Sequence, residues 1–535
     1  MQSCAAPNHR GDNIAFVRET LLGLHDVRSG RVQLKNVGPS LHNIKSKALK
    51  WSDDDSKILI LGDNGVKAEN VGKHPGTIAD LDNGSGGFGQ IVAAEFIGKD
   101  EIVVIWEFGK TRVCHLKSGK HVELADAKMT GNGQARALRP MAKENRATDL
   151  LVILSRSGAE DILTRYFAGT AQPHAPVKLS TIDAQSLSWS PDGRWLAVLD
   201  VPSASPNTHI YTPDGHLFRS YSSPNEENGE LATKSLSWSP NGQTLALAKH
   251  NNTIELLNTK TFTLVAVLHH LTSLDQRALP SEQQVPIWQE SVSAANVRTY
   301  SLMPHPMMPP LSKAKSSTEP DELGISDVCF SCDGSYMASR DNRMLNTIWL
   351  WKVETYSLHA VVILHNNARK LLWHPTRTQT LMIDCGESIA HIFGLSSESG
   401  PHVIPTESKP RAALTWLRTQ PDSKAIIIAT EKQKFTLVYP EGQDDQAATS
   451  PHDDAPNNLE DSFYEDDEGE DSLLEILSGR KPMHPKTKPS YTEMVDDLVA
   501  EAATSEELDD TFREKKQQKA SSEAEFDPLD DSQIF

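Results

Sequence analysis

Short apolar runs separated by polar turns dominate the first 442 residues. Ile58–Leu61, Trp195–Leu199, Thr244–Ala248 and Ala425–Ala429 are β-rich or apolar and bounded by turn formers. That length suits buried strands. Leu187-Ser188-Trp189-Ser190-Pro191-Asp192-Gly193 returns as Leu236-Ser237-Trp238-Ser239-Pro240-Asn241-Gly242, 49 residues later. An apolar strand end, a Ser-Pro-Asp/Asn-Gly turn and a second apolar strand form one hairpin. Aligned on the aromatic, its echoes fall at Trp51, Phe96, near Arg139, Trp189, Trp238, Phe330, Trp373 and Trp416. The intervals are 45, 43, 50, 49, 92, 43 and 43. A repeat of about this length, made of four short strands, is a propeller blade. The pattern predicts an all-β, WD40-type β-propeller of seven to nine blades, eight favoured.

A second half recurs downstream as strand, polar turn, strand. It reads Thr253–Asn258 then Phe262–Leu268, and Thr347–Lys352 then Tyr356–Leu364. The same shape appears at Val113–Leu124, His209–Tyr221 and Leu21–Leu34, the last with no first half before it. The final unit, Ala412–Tyr439, supplies about three strands. Complementary deficits predict ring closure by strand exchange, with Arg31–Lys35 pairing beside Phe435–Tyr439. The propeller is placed at residues 20–442, and residues 1–19 carry no assignable element.

The 92-residue interval holds an insertion, 269–323, rich in Pro, Ser and Gln. It reads as an extended loop leaving one face of the ring, not as a blade. Within it Trp288 and Tyr300 are candidates for contacting a partner. The aromatics Trp51, Phe96, Trp189, Trp238, Phe330, Trp349, Trp351, Trp373 and Trp416 recur at blade positions and are assigned to packing between sheets.

No residue pattern announces catalysis, a cofactor or a metal. Cys329-x-x-Cys332 has metal-like spacing, yet one cysteine belongs to a strand and the other to its turn, with no second Cys/His pair beside them. His269, His270, His359, His365 and His374 are read as structural. The glycines at 84–89 lack the P-loop lysine and a following helix. No G-x-S-x-G elbow is present. A non-enzymatic protein is expected.

Charge divides the chain. From 443 to 535 there are 27 Asp and Glu against 8 Lys and Arg, so this segment carries the whole net charge of −19. The remaining 442 residues balance 45 acidic against 45 basic. A neutral body and an acidic tail predict no direct binding of nucleic acid and no attraction to anionic membranes. No apolar run is long enough for a membrane helix, and no secretory signal is evident. Five scattered cysteines suit a reducing compartment.

The tail is expected to be disordered, with three short helical signals. Ser472-x-x-Glu475 precedes Leu473, Leu474, Ile476 and Leu477. Ser490-x-x-Glu493 precedes Met494, Val495, Leu498 and Val499, and Thr504-x-x-Glu507 precedes Leu508 and Phe512. Such short helices are marginal in water, so Leu474, Ile476, Leu477, Met494 and Leu498 are candidates for folding onto a partner.

The segment Gly324–Asn342, followed by Leu345-Asn-Thr-Ile-Trp-Leu-Trp351 and Leu358–Val361, is more specific than a generic blade. It resembles the WD-repeat-containing protein eight family of centrosomal and spindle-pole-body proteins. There too a Ser/Thr-Arg-Asn/Asp…Asn-x-x-Trp-x-Trp blade follows a long insertion. The resemblance runs from about residue 20 to 440. It implies a cytoplasmic, cytoskeletal scaffold that binds a coiled-coil microtubule-anchoring protein and, in fungi, a minus-end-directed kinesin-14. An alternative of another binding class is a propeller subunit acting in translation initiation.

Overall fold

The computed structural model describes residues 5–442 apart from 19, 38–47, 63–64, 72–74, 84–87, 131–134, 141–148, 225–232, 276, 278–283, 312–322, 397–398 and 433. The tail residues Leu474, Ile476, Leu477, Met494 and Leu498 lie outside that range.

The described chain folds into nine sheets in sequence order, blades 1 to 9, antiparallel apart from one parallel pair in blade 7. Their first strands are Ala5–Pro7, Ala48–Trp51, Ile91–Ile97, Arg136–Leu138, Ser186–Trp189, Thr233–Trp238, Ile325–Phe330, Lys370–Trp373 and Ala413–Trp416. First strands of neighbouring blades approach each other, as Ala5–Pro7 does Ala48–Trp51. Fourth strands such as Val32–Asn36 and Leu217–Tyr221 are largely exposed. The blades therefore run from an inner first strand to an outer fourth one. Second strands are buried almost throughout, as in Lys57–Leu61, Glu101–Trp106 and Ile427–Thr430. A strand covered on both faces by neighbouring blades reads as a continuous apolar run, as the sequence does here.

The repeated turn has a physical reason for its residues. In blade 5 the Ser190 hydroxyl donates to Asp192 Oδ1 at 2.6 Å and accepts from the Trp195 amide at 3.0 Å. The same bonds recur at Ser52/Asp54, Ser239/Asn241 and Ser331/Asp333. The next position needs a left-handed backbone, taken by Gly193, Gly242 and Gly334. In blade 2 Asp55 adopts it, at φ 57°. The aromatic before the turn ties one blade to the one before. Indole N–H groups of Trp51, Trp189, Trp373 and Trp416 donate to the carbonyls of Ala6, Ala137, Cys329 and Leu372, each on the preceding blade's first strand. Phe330, Trp349, Trp351 and Trp416 are buried in core clusters, and Phe96 and Trp238 pack against others. Trp238 Nε1 is buried without an acceptor.

Two sequence expectations need correcting and one sharpening. Blade count is nine, within the expected seven to nine and one above the favoured eight, because residues before Leu21 do supply a first half: Ala5–Pro7 and Asn13–Arg18. Their turn carries Asn8 where others carry Ser. The Asn8 side-chain oxygen accepts from the Asp12 and Asn13 amides at 3.1 and 3.0 Å.

Closure is not by strand exchange. Val32–Asn36 pairs with Leu21–Asp26 inside blade 1, and among the described residues blade 9 has three strands. The ring closes by packing of Ala5, Ile14 and Phe16 on Leu417, Ile428 and Phe435, with the Phe16 and Phe435 rings 5.6 Å apart. Gly11, at φ 76°, sits so close to blade 9 that an added Cβ would lie 1.8 Å from the Arg418 carbonyl oxygen.

The insertion is not an extended loop. Ile287–Val292 and Arg298–Leu302 form a hairpin, and the first of these pairs in parallel with Ser357–Ile363. Blade 7 thereby becomes six-stranded.

Candidate interaction surface at the insertion

The insertion begins buried between blades 6 and 7. His270 stacks on Trp349 with ring centroids 4.8 Å apart, and its Nε2 lies 2.8 Å from Ser339 Oγ. Ser339 Oγ also accepts from Trp351 Nε1 at 2.9 Å. Burial, opposed by Asp341 and aided by Arg343, pulls the His270 imidazole down to about 3. It is therefore neutral at physiological pH, and its role is structural, as the sequence reading has it.

The hairpin then lies over the edge of blade 8. Trp288 is buried and rests on Gly400, whose added Cβ would meet the indole at 2.5 Å. The Tyr300 hydroxyl is 2.7 Å from His391 Nδ1 on the third strand of blade 8. Arg298 joins Glu290 of its own hairpin, at 2.8 Å, to Glu387 of blade 8, at 2.5 Å. Glu290 also accepts from the His365 amide at 2.8 Å. Proximity of carboxylates and burial push the Tyr300 phenol well above its ordinary range, burial being the larger cause.

Both residues singled out for a partner are thus engaged inside the chain. Trp288 fills a gap and Tyr300 holds a histidine, because the hairpin buries the face on which they sit. The surface offered to solvent is made by other side chains of the insertion. Val297, Leu302, Met308 and Leu311 are 58%, 58%, 71% and 59% exposed. The four fall within 15 residues of one another on the insertion, which makes this segment the candidate contact surface. The Met307-Met308-Pro309-Pro310 run was the available sequence signal for them.

Cys329 and Cys332 lie on a strand and in its turn, and both are free thiols. A concavity of about 820 Å³ opens beside blades 9 and 1. Arg18, Lys409, Arg411, Lys432 and Lys434 line it beside Glu431, which accepts from the Lys409 amide at 3.1 Å. A body of zero net charge thus carries a local basic patch.

No family model matches the chain. It is similar to the uncharacterised WD repeat-containing protein C32H8.09 of Schizosaccharomyces pombe, at 28% identity over 287 residues, covering 51% of this chain and 56% of that protein. It is also similar to WD repeat-containing protein WRAP73 of Mus musculus, at 21% identity over 304 residues, covering 54% of this chain and 64% of the relative. The chain is a WD40-type β-propeller.

The chain spans little more than half the length of these two relatives. Among solved structures, a eukaryotic initiation factor overlaps the propeller with a TM-score of 0.48 at 10% identity, covering 75% of this chain and 87% of that one. The C-terminal WD40 domain of Sif2 overlaps with a TM-score of 0.43 at 11% identity, covering 76% and 97%. WD40 propellers typically serve as protein-binding scaffolds.

Proposed function

We propose that this propeller is a non-enzymatic scaffold at the centrosome or spindle pole body. It binds a coiled-coil microtubule-anchoring protein, and a minus-end-directed kinesin-14, to anchor microtubule minus ends and support spindle organisation. The observation that carries the binding role is the exposed apolar set Val297, Leu302, Met308 and Leu311 on an arm fixed to blade 7 by strand pairing. The cellular setting rests on the resemblance of Gly324–Asn342 and Leu345–Trp351, the blade after that arm, to the family named above. A coiled coil buries its apolar seam between its own helices, so the arm would meet apolar positions left on its outer face, and a rigid arm does so without the cost of ordering a loop.

Deleting 269–323 is a poor test, because it also removes His270 from the ring. Changing Val297, Leu302, Met308 and Leu311 together to Ser leaves every blade contact in place. In dividing cells this variant is expected to keep its fold and lose pole localisation. Unchanged localisation would remove the arm from the mechanism, and labelling of ribosomal proteins in place of pole proteins would favour the translation reading.

A further inference from the structure

Cys385, Glu387 and His391 lie together where the insertion meets blade 8. Their Sγ, carboxylate and ring-nitrogen atoms fall within 4.8 Å of one another. The hairpin of Thr380–Asp384 and Ile389–Gly394 explains why. His391 pairs with Ile383, and Cys385 is two residues beyond Ile383, so alternation puts both side chains on one face. Glu387 comes from the turn between the strands.

Two buried atoms in this cluster lack a partner. They are His391 Nε2 and Glu387 Oε2, which face each other at 4.0 Å, beyond hydrogen-bond reach. The His391 side chain is fully buried. Leaving such groups unpaired costs on the order of 1–3 kcal/mol each. Around them the remaining polar positions are engaged. Glu387 Oε1 accepts from Arg298 and from Asn366 at 2.8 Å, and His391 Nδ1 meets the Tyr300 hydroxyl. In the tautomer whose Nδ1–H donates to that phenol oxygen, His391 leaves its Nε2 lone pair free on the side of Glu387 Oε2. A metal-bound histidine is oriented in this way by an outer partner.

We propose that Cys385 Sγ, His391 Nε2 and Glu387 Oε2 form a site for a divalent transition ion. Thiolate, imidazole and carboxylate together favour zinc over calcium or magnesium, which prefer all-oxygen sites. Bond lengths of about 2.0–2.3 Å bring tetrahedral ligand atoms to roughly 3.3–3.8 Å, so closing on the ion takes a contraction of about 1 Å. Three protein ligands leave a fourth position, and the partly exposed Glu387, at 25%, marks the way in. Binding releases the Cys385 thiol proton to solvent. With Arg298 balancing one of Glu290 and Glu387, the ion's two positive charges offset the other carboxylate and the thiolate. The ligands all belong to blade 8, while Arg298 and Tyr300, which position two of them, belong to the insertion. The ion therefore strengthens the joint between arm and ring.

The test uses the full chain, purified under reducing conditions without chelator and loaded with zinc or with cobalt(II). The expected result is one zinc per chain by elemental analysis, and a cobalt spectrum with the thiolate-to-metal charge-transfer band. Cys385→Ser and His391→Gln abolish both. Tyr300→Phe, which removes only a positioning hydroxyl, weakens affinity by roughly 10-fold. Wild-type chain that takes up no zinc overturns the proposal. So do a cobalt spectrum without the thiolate band and a stoichiometry unchanged in Cys385→Ser. The wild-type spectrum decides the matter even if a variant fails to fold.

Discussion

Two junctions of the ring solve the same problem by different means. Where blade 9 meets blade 1, the ring closes on apolar side chains and one backbone approach: Ile14 and Phe16 against Ile428 and Phe435, and Gly11 against Arg418. Where blade 7 meets blade 8, an inserted hairpin adds strand pairing and a buried polar cluster, Glu290, Arg298, Tyr300, Glu387 and His391. Apolar packing dominates where the ring shuts. Buried charges and hydrogen bonds cost desolvation and often yield little net stability. Their concentration at the second junction is the sign that this place is built for more than closure.

The first junction is most vulnerable at Gly11. Gly11→Ala forces a side chain into a left-handed backbone and against a carbonyl, a cost of roughly 3–5 kcal/mol. Denaturant unfolding is expected to show destabilisation of the whole propeller. At the other junction, Trp288→Ala empties the space above Gly400 at about 3 kcal/mol. Its expected signature is local: hydrogen exchange speeds up across Ile287–Leu302 while Ile325–Phe330 stays protected. A global loss equal to that of Gly11→Ala would mean the hairpin is as much a part of ring closure as blade 1.

Acid acts on the joints as well. Burial lowers His270 to about 3 and, with Arg377 beside it, His374 to about 4. Both are neutral when folded and take up protons on unfolding once the pH falls below about 6.5. Their stability contribution is thus present above pH 6.5 and lost as the pH drops toward 3–4, by up to about 1.4 kcal/mol per pH unit for each. Melting temperature followed from pH 7 to 4.5 should fall, and His270→Gln should flatten that slope while lowering its starting point. Asp54 acts only further down. Burial opposes its ionisation, but hydrogen bonds from Ser52 and Ser56 outweigh that and hold it at about 2, so its contribution is lost below pH 4.

The smallest effect on stability is expected at the exposed apolar set. Single changes to Ser at Val297, Leu302, Met308 or Leu311 should each stay within about 0.5 kcal/mol.

Eight blades were legible because seven carry an aromatic at the repeat position and several share a turn whose residues have fixed jobs. Trp51, Trp189, Trp373 and Trp416 all donate to the preceding blade, and that shared task preserves their spacing. Blade 1 was missed because Asn8 can accept the same amides as a serine, and no tryptophan precedes it. The hairpin at 287–302 was hidden by Pro- and Ser-rich flanks, and its parallel pairing with blade 7 leaves no local signature. Trp288 and Tyr300 were rightly conspicuous, but an aromatic in a loop-like stretch looks the same in sequence whether it faces a partner or its own chain. The Cys385, Glu387 and His391 cluster depends on a strand register that spacing alone does not reveal.

The central claim is that a docked arm, displaying Val297, Leu302, Met308 and Leu311, makes this propeller a scaffold at the spindle pole. Proximity labelling in dividing cells, comparing the wild-type chain with the four-fold Ser variant at equal expression, tests it most directly. Pole proteins are expected to be labelled by the wild type and lost from the variant while its melting temperature is unchanged. Equal labelling by the two chains, or ribosomal neighbours for both, would contradict it.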